Sequence, residues 1–218
     1  MKKTLAVILL SPIIFGSHSL FADYVGLSME WEIVDADQGM WKLMVYADFT
    51  SSTDELLSVF GDAESPLTIQ SSNGFYQNPF GANTSAGVNT AFFPLFPSLM
   101  WDSWVTIGYE NMISNNMDDI GIDWSNFESG GNLQVDNGAW FVPLDEPQAV
   151  AGDDLRVLVA QLTTFGWDSS ISGTLNVFGR NVQGEFYTAR DQYFGTLIPS
   201  PPMGVLFLAG MLLCKRRR

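Results

Sequence analysis

From Leu27 to Val34 the side chains alternate: Leu27, Met29, Trp31 and Ile33 fall on one side, with Glu30 and Glu32 on the other. Trp41 to Phe49 repeats the pattern, with Trp41, Leu43, Val45, Ala47 and Phe49 set against Lys42, Met44, Tyr46 and Asp48. A period of two, rich in aromatic and β-branched residues, predicts half-buried strands. The intervening Asp35-Ala36-Asp37-Gln38-Gly39 has the composition of a hairpin loop. Further strands are predicted at Leu56–Phe60, Leu67–Gln70, Ser103–Tyr109, Gly138–Val142, Leu155–Thr163 and Gly173–Gly179, the last being read as the final regular strand. The nearly continuous apolar run from Arg156 to Leu162 reads as a central strand covered on both faces. No stretch of 10 or more residues has the periodicity of an amphipathic helix, although Thr53 to Ser58 could form one turn. Trp31, Trp41, Trp104 and Trp140 fall on strands and are expected in the core.

Many short strands joined by turn-rich connections predict a mainly β fold: a single antiparallel β-sandwich or jelly-roll-like domain of about 7 to 10 strands. No fixed-period repeat argues for a propeller or solenoid. Two irregular stretches interrupt the pattern. Residues 71–97 combine turn residues with Phe75, Phe80, Phe92, Phe93 and Phe96, a density of Phe and Pro that suits a loop packed down on the domain. Residues 110–131 are rich in Asn, Asp and Ser.

The chain has 218 residues, with 24 Asp+Glu, 10 Lys+Arg, one His and one Cys. Its ends account for most of the cations. Lys2 and Lys3 precede an apolar run, Leu5 to Leu10, broken by Pro12 and followed by small and polar residues up to Ala22. That order predicts a secretory signal peptide over residues 1–22, the run being too short to span a bilayer. At the other end, Pro199-Ser200-Pro201-Pro202 precedes an apolar stretch, Met203 to Cys214, and then Lys215, Arg216, Arg217 and Arg218. As a helix the stretch would cover about 18 Å of a ~30 Å hydrocarbon core, and the four cations would hold its end on the cytoplasmic side. This predicts a transient membrane anchor over residues 198–218, with an ordinary single-pass tail anchor as the alternative. Residues 23–180 are then the sandwich, and residues 181–197, where alternation is lost, a stalk.

Pro-x-Pro, a short apolar helix and an arginine cluster resemble the PEP-CTERM sorting signal of Gram-negative bacteria. Pro199-Ser200-Pro201 stands where the family has Pro-Glu-Pro, a variant similar to those of planctomycete-type surface proteins. The resemblance implies a membrane transpeptidase, exosortase, as a partner, and delivery to the cell surface or extracellular matrix. Phe75–Gly81, Trp101–Gly108 and Arg156–Leu162 also resemble an uncharacterised domain of exported proteins carrying such tails; no catalytic residues follow from it.

With both ends set aside, Lys42, Arg156, Arg180 and Arg190 are the only cations against all 24 acids, a net charge near −20. Such a domain repels nucleic acid and acidic polysaccharide. His18 and Cys214 both lie in the terminal segments, so the domain lacks the imidazole or thiol of Ser-His, Cys-His or Cys/His-zinc chemistry. A non-enzymatic surface or matrix protein is therefore expected. Asp102, Asp118, Asp119, Asp123, Glu128, Asp136, Asp145 and Glu146 could in principle supply the carboxylate pair of a small glycoside hydrolase. Asn115, Asn116, Asp118, Asp119 and Asp123 crowd one loop with hard oxygen donors, which makes Asp118, Asp119 and Asp123 candidate calcium ligands without an EF-hand pattern. Trp101, Trp124 and Trp167, at loop-like positions beside Asp102, Asp123 and Asp168, are candidate sugar contacts for a carbohydrate-binding module that recognises matrix polysaccharide.

Overall fold

The computed structural model describes residues 24–197. The predicted leader and sorting segment lie outside these residues. The described chain is mainly β, arranged as two antiparallel sheets packed face to face. Its strands are β1 (Tyr24–Asp35), β2 (Met40–Phe49), β3 (Glu55–Gly61), β4 (Leu67–Ser71), β5 (Trp104–Val105), β6 (Asp118–Ile120), β7 (Leu133–Val135), β8 (Gly138–Phe141), β9 (Arg156–Phe165), β10 (Ser170–Arg180) and β11 (Phe186–Leu197). A single α-helical turn, α1 (Ser125–Glu128), lies between β6 and β7.

The first sheet has the order β1-β2-β9-β5. The β1–β2 register sets Leu27 opposite Ala47, Met29 opposite Val45 and Trp31 opposite Leu43. The apolar halves of both alternating patterns therefore share the inner face. Along β2 the odd positions from Trp41 to Phe49 are all buried. The second sheet is built around β10. β11 pairs along one edge of β10 from Ser170 to Arg180, while β4 and β3 share the opposite edge, β4 over Ile171–Thr174 and β3 over Asn176–Arg180. β8 and β6 extend the sheet beyond β3, and β7 extends it beyond β4. Between the sheets, Trp41, Leu43, Leu56, Ile69, Phe127, Trp140, Leu162, Leu175 and Phe194 form one continuous core. The two indole N–H groups in this core are satisfied: Trp41 donates to Ser169 Oγ at 2.8 Å and Trp140 to the Thr106 carbonyl at 3.0 Å.

One polar group is built into the centre. Asn176 on β10 is fully buried. Its Nδ2 donates to the carbonyls of Phe60 (3.0 Å) and Ser65 (2.6 Å), and its Oδ1 accepts from Ser65 Oγ (2.7 Å) and the Asp191 N–H (2.9 Å). It ties the β3–β4 turn to the point where the β10–β11 register shifts, so all four hydrogen-bonding positions of the amide are used.

Three expectations are corrected. Residues 181–197 are not a stalk: β11 is a twelve-residue strand whose Phe194 is buried in the core, so the sandwich runs to Leu197 rather than ending at 180. Its sequence hides this because a shift near Asp191, whose φ is +55°, breaks the alternation. Trp31 is exposed, not core, because β1 is the edge strand of its sheet and its inward positions lack cover beyond Met29. The strands number eleven among the described residues, since β6, β7 and β11 join the eight expected, and the chain from 53 to 58 forms no helical turn before or within β3.

Candidate functional site

Residues 72–103 connect β4 to β5 and form a third layer. From Ser65 to Trp101 the sequence contains no Asp, Glu, Lys, Arg or His, which is unusual in a domain of net charge near −20. With no side chain demanding water, the loop folds down on the outer face of the first sheet. Tyr76 N–H donates to the Thr163 carbonyl (2.8 Å), Ser103 N–H to the Tyr76 carbonyl (3.2 Å) and Val105 N–H to the Asn83 carbonyl (3.0 Å). Ala82, Val88 and Phe93 pack against Met44, Tyr46, Trp104 and Leu158 of the sheet, forming a second small core. The loop is what buries β9 on both faces, as the apolar run from Arg156 to Leu162 requires.

Asp102 anchors this layer. Its carboxylate is buried; Oδ1 accepts the N–H of Asn78 at 2.6 Å and Oδ2 the N–H of Ala82 at 2.8 Å. Burial pushes its pKa up to about 6, an effect partly offset by hydrogen bonds from the backbone of Asn78, Ala82 and Ser103. Gly81 crosses directly above the carboxylate and leaves no room for a Cβ.

Above this anchor the loop presents apolar side chains to solvent. Phe80 and Leu95 are 75% and 73% exposed, and Phe92, Phe96 and Met100 remain nearly half exposed. The rings of Phe80 and Phe96 lie 5.7 Å apart, and Phe92 joins Phe80, Val88 and Phe93 around a shallow crevice over Asp102. Met112 N–H donates to the Val88 carbonyl (3.0 Å), which brings exposed Met112 and Ile113 alongside. The crevice holds only about 60 Å³, far below the ~300–1,000 Å³ of small-molecule pockets, so these residues form a surface and not a pocket.

The sequence-predicted site residues are dispersed. Trp101 ends a 3-10 turn in the loop layer, Trp124 precedes α1, and Trp167 lies in the β9–β10 turn. All three are half-buried; Trp124 and Trp167 pack against the main core, and Trp124 Nε1 donates to Asp119 Oδ1 at 3.1 Å. They do not line the crevice or either cleft described here. Asp118, Asp119 and Asp123 each accept a different local donor: the N–H of Asp119, the Trp124 indole and the N–H of Ser125. Among the described residues no three His, Cys, Asp or Glu side chains converge as a metal-ligating group. Asp145 is paired with Arg180, whose guanidinium also grips Glu55 in a bidentate pair, and Glu146 accepts from Asn116 Nδ2 at 2.9 Å.

Two polar clefts flank the loop layer. One, about 180 Å³, is lined by Gln77, Asn78, Asn83 and Glu128, and the buried Nε2 of Gln77 has no hydrogen-bond partner. The other, about 350 Å³, is lined by Tyr46, Tyr109, Glu110, Asp154 and Arg156, with the Arg156 guanidinium 4.0 Å above the Tyr46 ring and paired with Glu30 at 2.6 Å. Of the candidate acids, Asp102 lines the crevice and Glu128 the Gln77 cleft, whereas the exposed apolar residues and the cleft's amides are not among the candidates. Their signal in the sequence is the charge-free run itself.

No protein-family model, curated protein or solved structure matches the chain. Among the described residues no helix is long and apolar enough to cross a membrane.

Proposed function

We propose that this chain is an exported, non-enzymatic β-sandwich protein that works at the cell surface or in the extracellular matrix, delivered there by its C-terminal segment. The observation that carries this reading is the join between fold and tail. β11 ends at Leu197, and the Pro199-Ser200-Pro201 motif begins two residues later, so the chain passes from the sheet into the segment that resembles a sorting signal. Proline fixes φ and cannot continue a helix, and an extended segment of that kind would suit a membrane transpeptidase. Intact-mass measurement on protein recovered from the surface should show a chain ending between Pro199 and Pro202. Recovery of a chain still carrying Arg218 would favour a permanent tail anchor instead.

The Gln77 cleft favours a second reading, a carbohydrate-binding module for neutral matrix polysaccharide. Gln77, Asn78, Asn83 and Glu128 supply the mix of donors and acceptors that sugar hydroxyls pair with. A glycan array probed with the native chain and Gln77→Ala tests it. Binding lost in the variant supports the module; binding unchanged, or absent from both, removes the cleft from consideration.

A further inference from the structure

We infer that the apolar crest of the loop layer, centred on Phe80, Leu95 and Phe96, docks on a lipid surface of neutral, zwitterionic headgroups. A contiguous exposed apolar patch on a soluble domain marks an interaction site. Three observations select the occupant. First, the crest lies in the 37-residue stretch from Ser65 to Trp101 that has no charged side chain, so no ionised group of its own must be desolvated when Phe80, Phe92, Leu95, Phe96 and Met100 enter an apolar phase. Second, the rest of the domain is strongly acidic. A second copy would bring another charge near −20 against it, and anionic headgroups would also repel it, whereas a zwitterionic surface adds no net charge. Third, the chain leaves the described residues beside the start of this layer. Leu197 pairs with Ser170, and Ser170 is bonded to Ser72 through its carbonyl (3.1 Å) and its N–H (3.0 Å). The 21 residues beyond Leu197 include the apolar run Met203 to Cys214, so a chain held at a bilayer by that run would have Ser72, where the loop layer begins, beside the point at which it leaves the sheet.

The crest is built for shallow insertion. Asp102 and the small core of Val88, Trp104 and Leu158 hold the loop rigid from beneath, and the exposed Phe, Leu and Met side chains are those that partition into the interfacial region of a bilayer. This inference rests partly on the reading of the tail as a membrane segment, and its test is read from the crest alone.

The experiment uses the full chain with Cys214→Ser and one introduced cysteine, Leu95→Cys, carrying an environment-sensitive fluorophore. It is mixed with phosphatidylcholine vesicles containing brominated acyl chains. A blue shift with quenching by bromine at position 95, and neither at a Gln134→Cys control, the exposed position of β7, is the expected result. Adding Phe80→Ser and Phe96→Ser should weaken the quenching about tenfold or more in lipid titration while leaving the circular dichroism unchanged. A position-95 probe that stays in water overturns the proposal. So does a blue shift without bromine quenching, whether it grows with protein concentration, which identifies a second copy, or is independent of it, which identifies another segment of the same chain. Failure of tail cleavage would leave this readout untouched.

Discussion

Gly81 passes so close over Asp102 that the backbone, not a side chain, closes the space above the carboxylate. Both oxygens accept backbone N–H groups of residues on either side of this glycine. One acid thus fixes the path of residues 78–82 and, through it, the position of Phe80. Asp102→Asn replaces one acceptor by an N–H that faces another N–H. The expected cost is about 1–3 kcal/mol in urea unfolding, together with loss of order in the crest.

The same carboxylate carries a pH signature. Its pKa is raised in the folded protein to about 6, so the folded chain binds this proton more tightly than the unfolded chain, where an aspartate titrates near ~3.9. The stabilisation is fully present below the unfolded value. It is lost as pH rises through the folded one, amounting to roughly 3 kcal/mol over that window. Asp102→Asn removes the titration, so its destabilisation relative to the native chain should be larger at pH 4 than at pH 7. A difference that is constant with pH would show that Asp102 titrates normally.

Removing Asn176 tests the polar knot at the centre of the second sheet. Asn176→Ala strands the carbonyls of Phe60 and Ser65 and the N–H of Asp191, all of which it satisfies. A loss of about 3 kcal/mol in denaturant unfolding, with an unchanged m-value, is expected. Ser65→Ala leaves the amide with three of its four partners and should cost less.

Calcium should not matter to stability. Asp118, Asp119 and Asp123 are each oriented by a different local donor, and among the described residues they do not converge as a ligand group. The thermal midpoint is expected to be the same in chelator and in millimolar calcium; a rise of several degrees would bring the three carboxylates together after all.

The strands with unbroken alternation were legible from sequence. β2 follows the predicted period, β1 pairs with it in the matching register, and β9 is covered on both faces as its apolar run implied. What escaped lacks a local signal. Trp31 fits the pattern of its strand and is nonetheless exposed, because a pattern names the inward face but not whether another strand stands opposite it. The candidate surface was hidden for a similar reason. Phe75 turns into the main core against Phe127 and Phe93 turns down on Trp104 and Leu158, while Phe80 and Phe96 turn out above Asp102, and these partners lie far along the chain.

β11 offers the sharpest test of where the domain ends. A chain stopped after Arg180 would leave β10 without a partner along one whole edge and would strip Phe194 and the partly buried Tyr187 from the core. Phe194 rests against Gly173, where a Cβ would collide with its ring, so the two strands are fitted at that point. Truncation at 180 should therefore abolish the cooperative unfolding transition, whereas truncation after Leu197 should preserve it. Phe194→Ala in the full chain isolates the packing component, with an expected loss of about 3–5 kcal/mol. If the chain ending at Arg180 still unfolded cooperatively with native-like near-ultraviolet dichroism, residues 186–197 would be an appendage to the sandwich and not one of its strands.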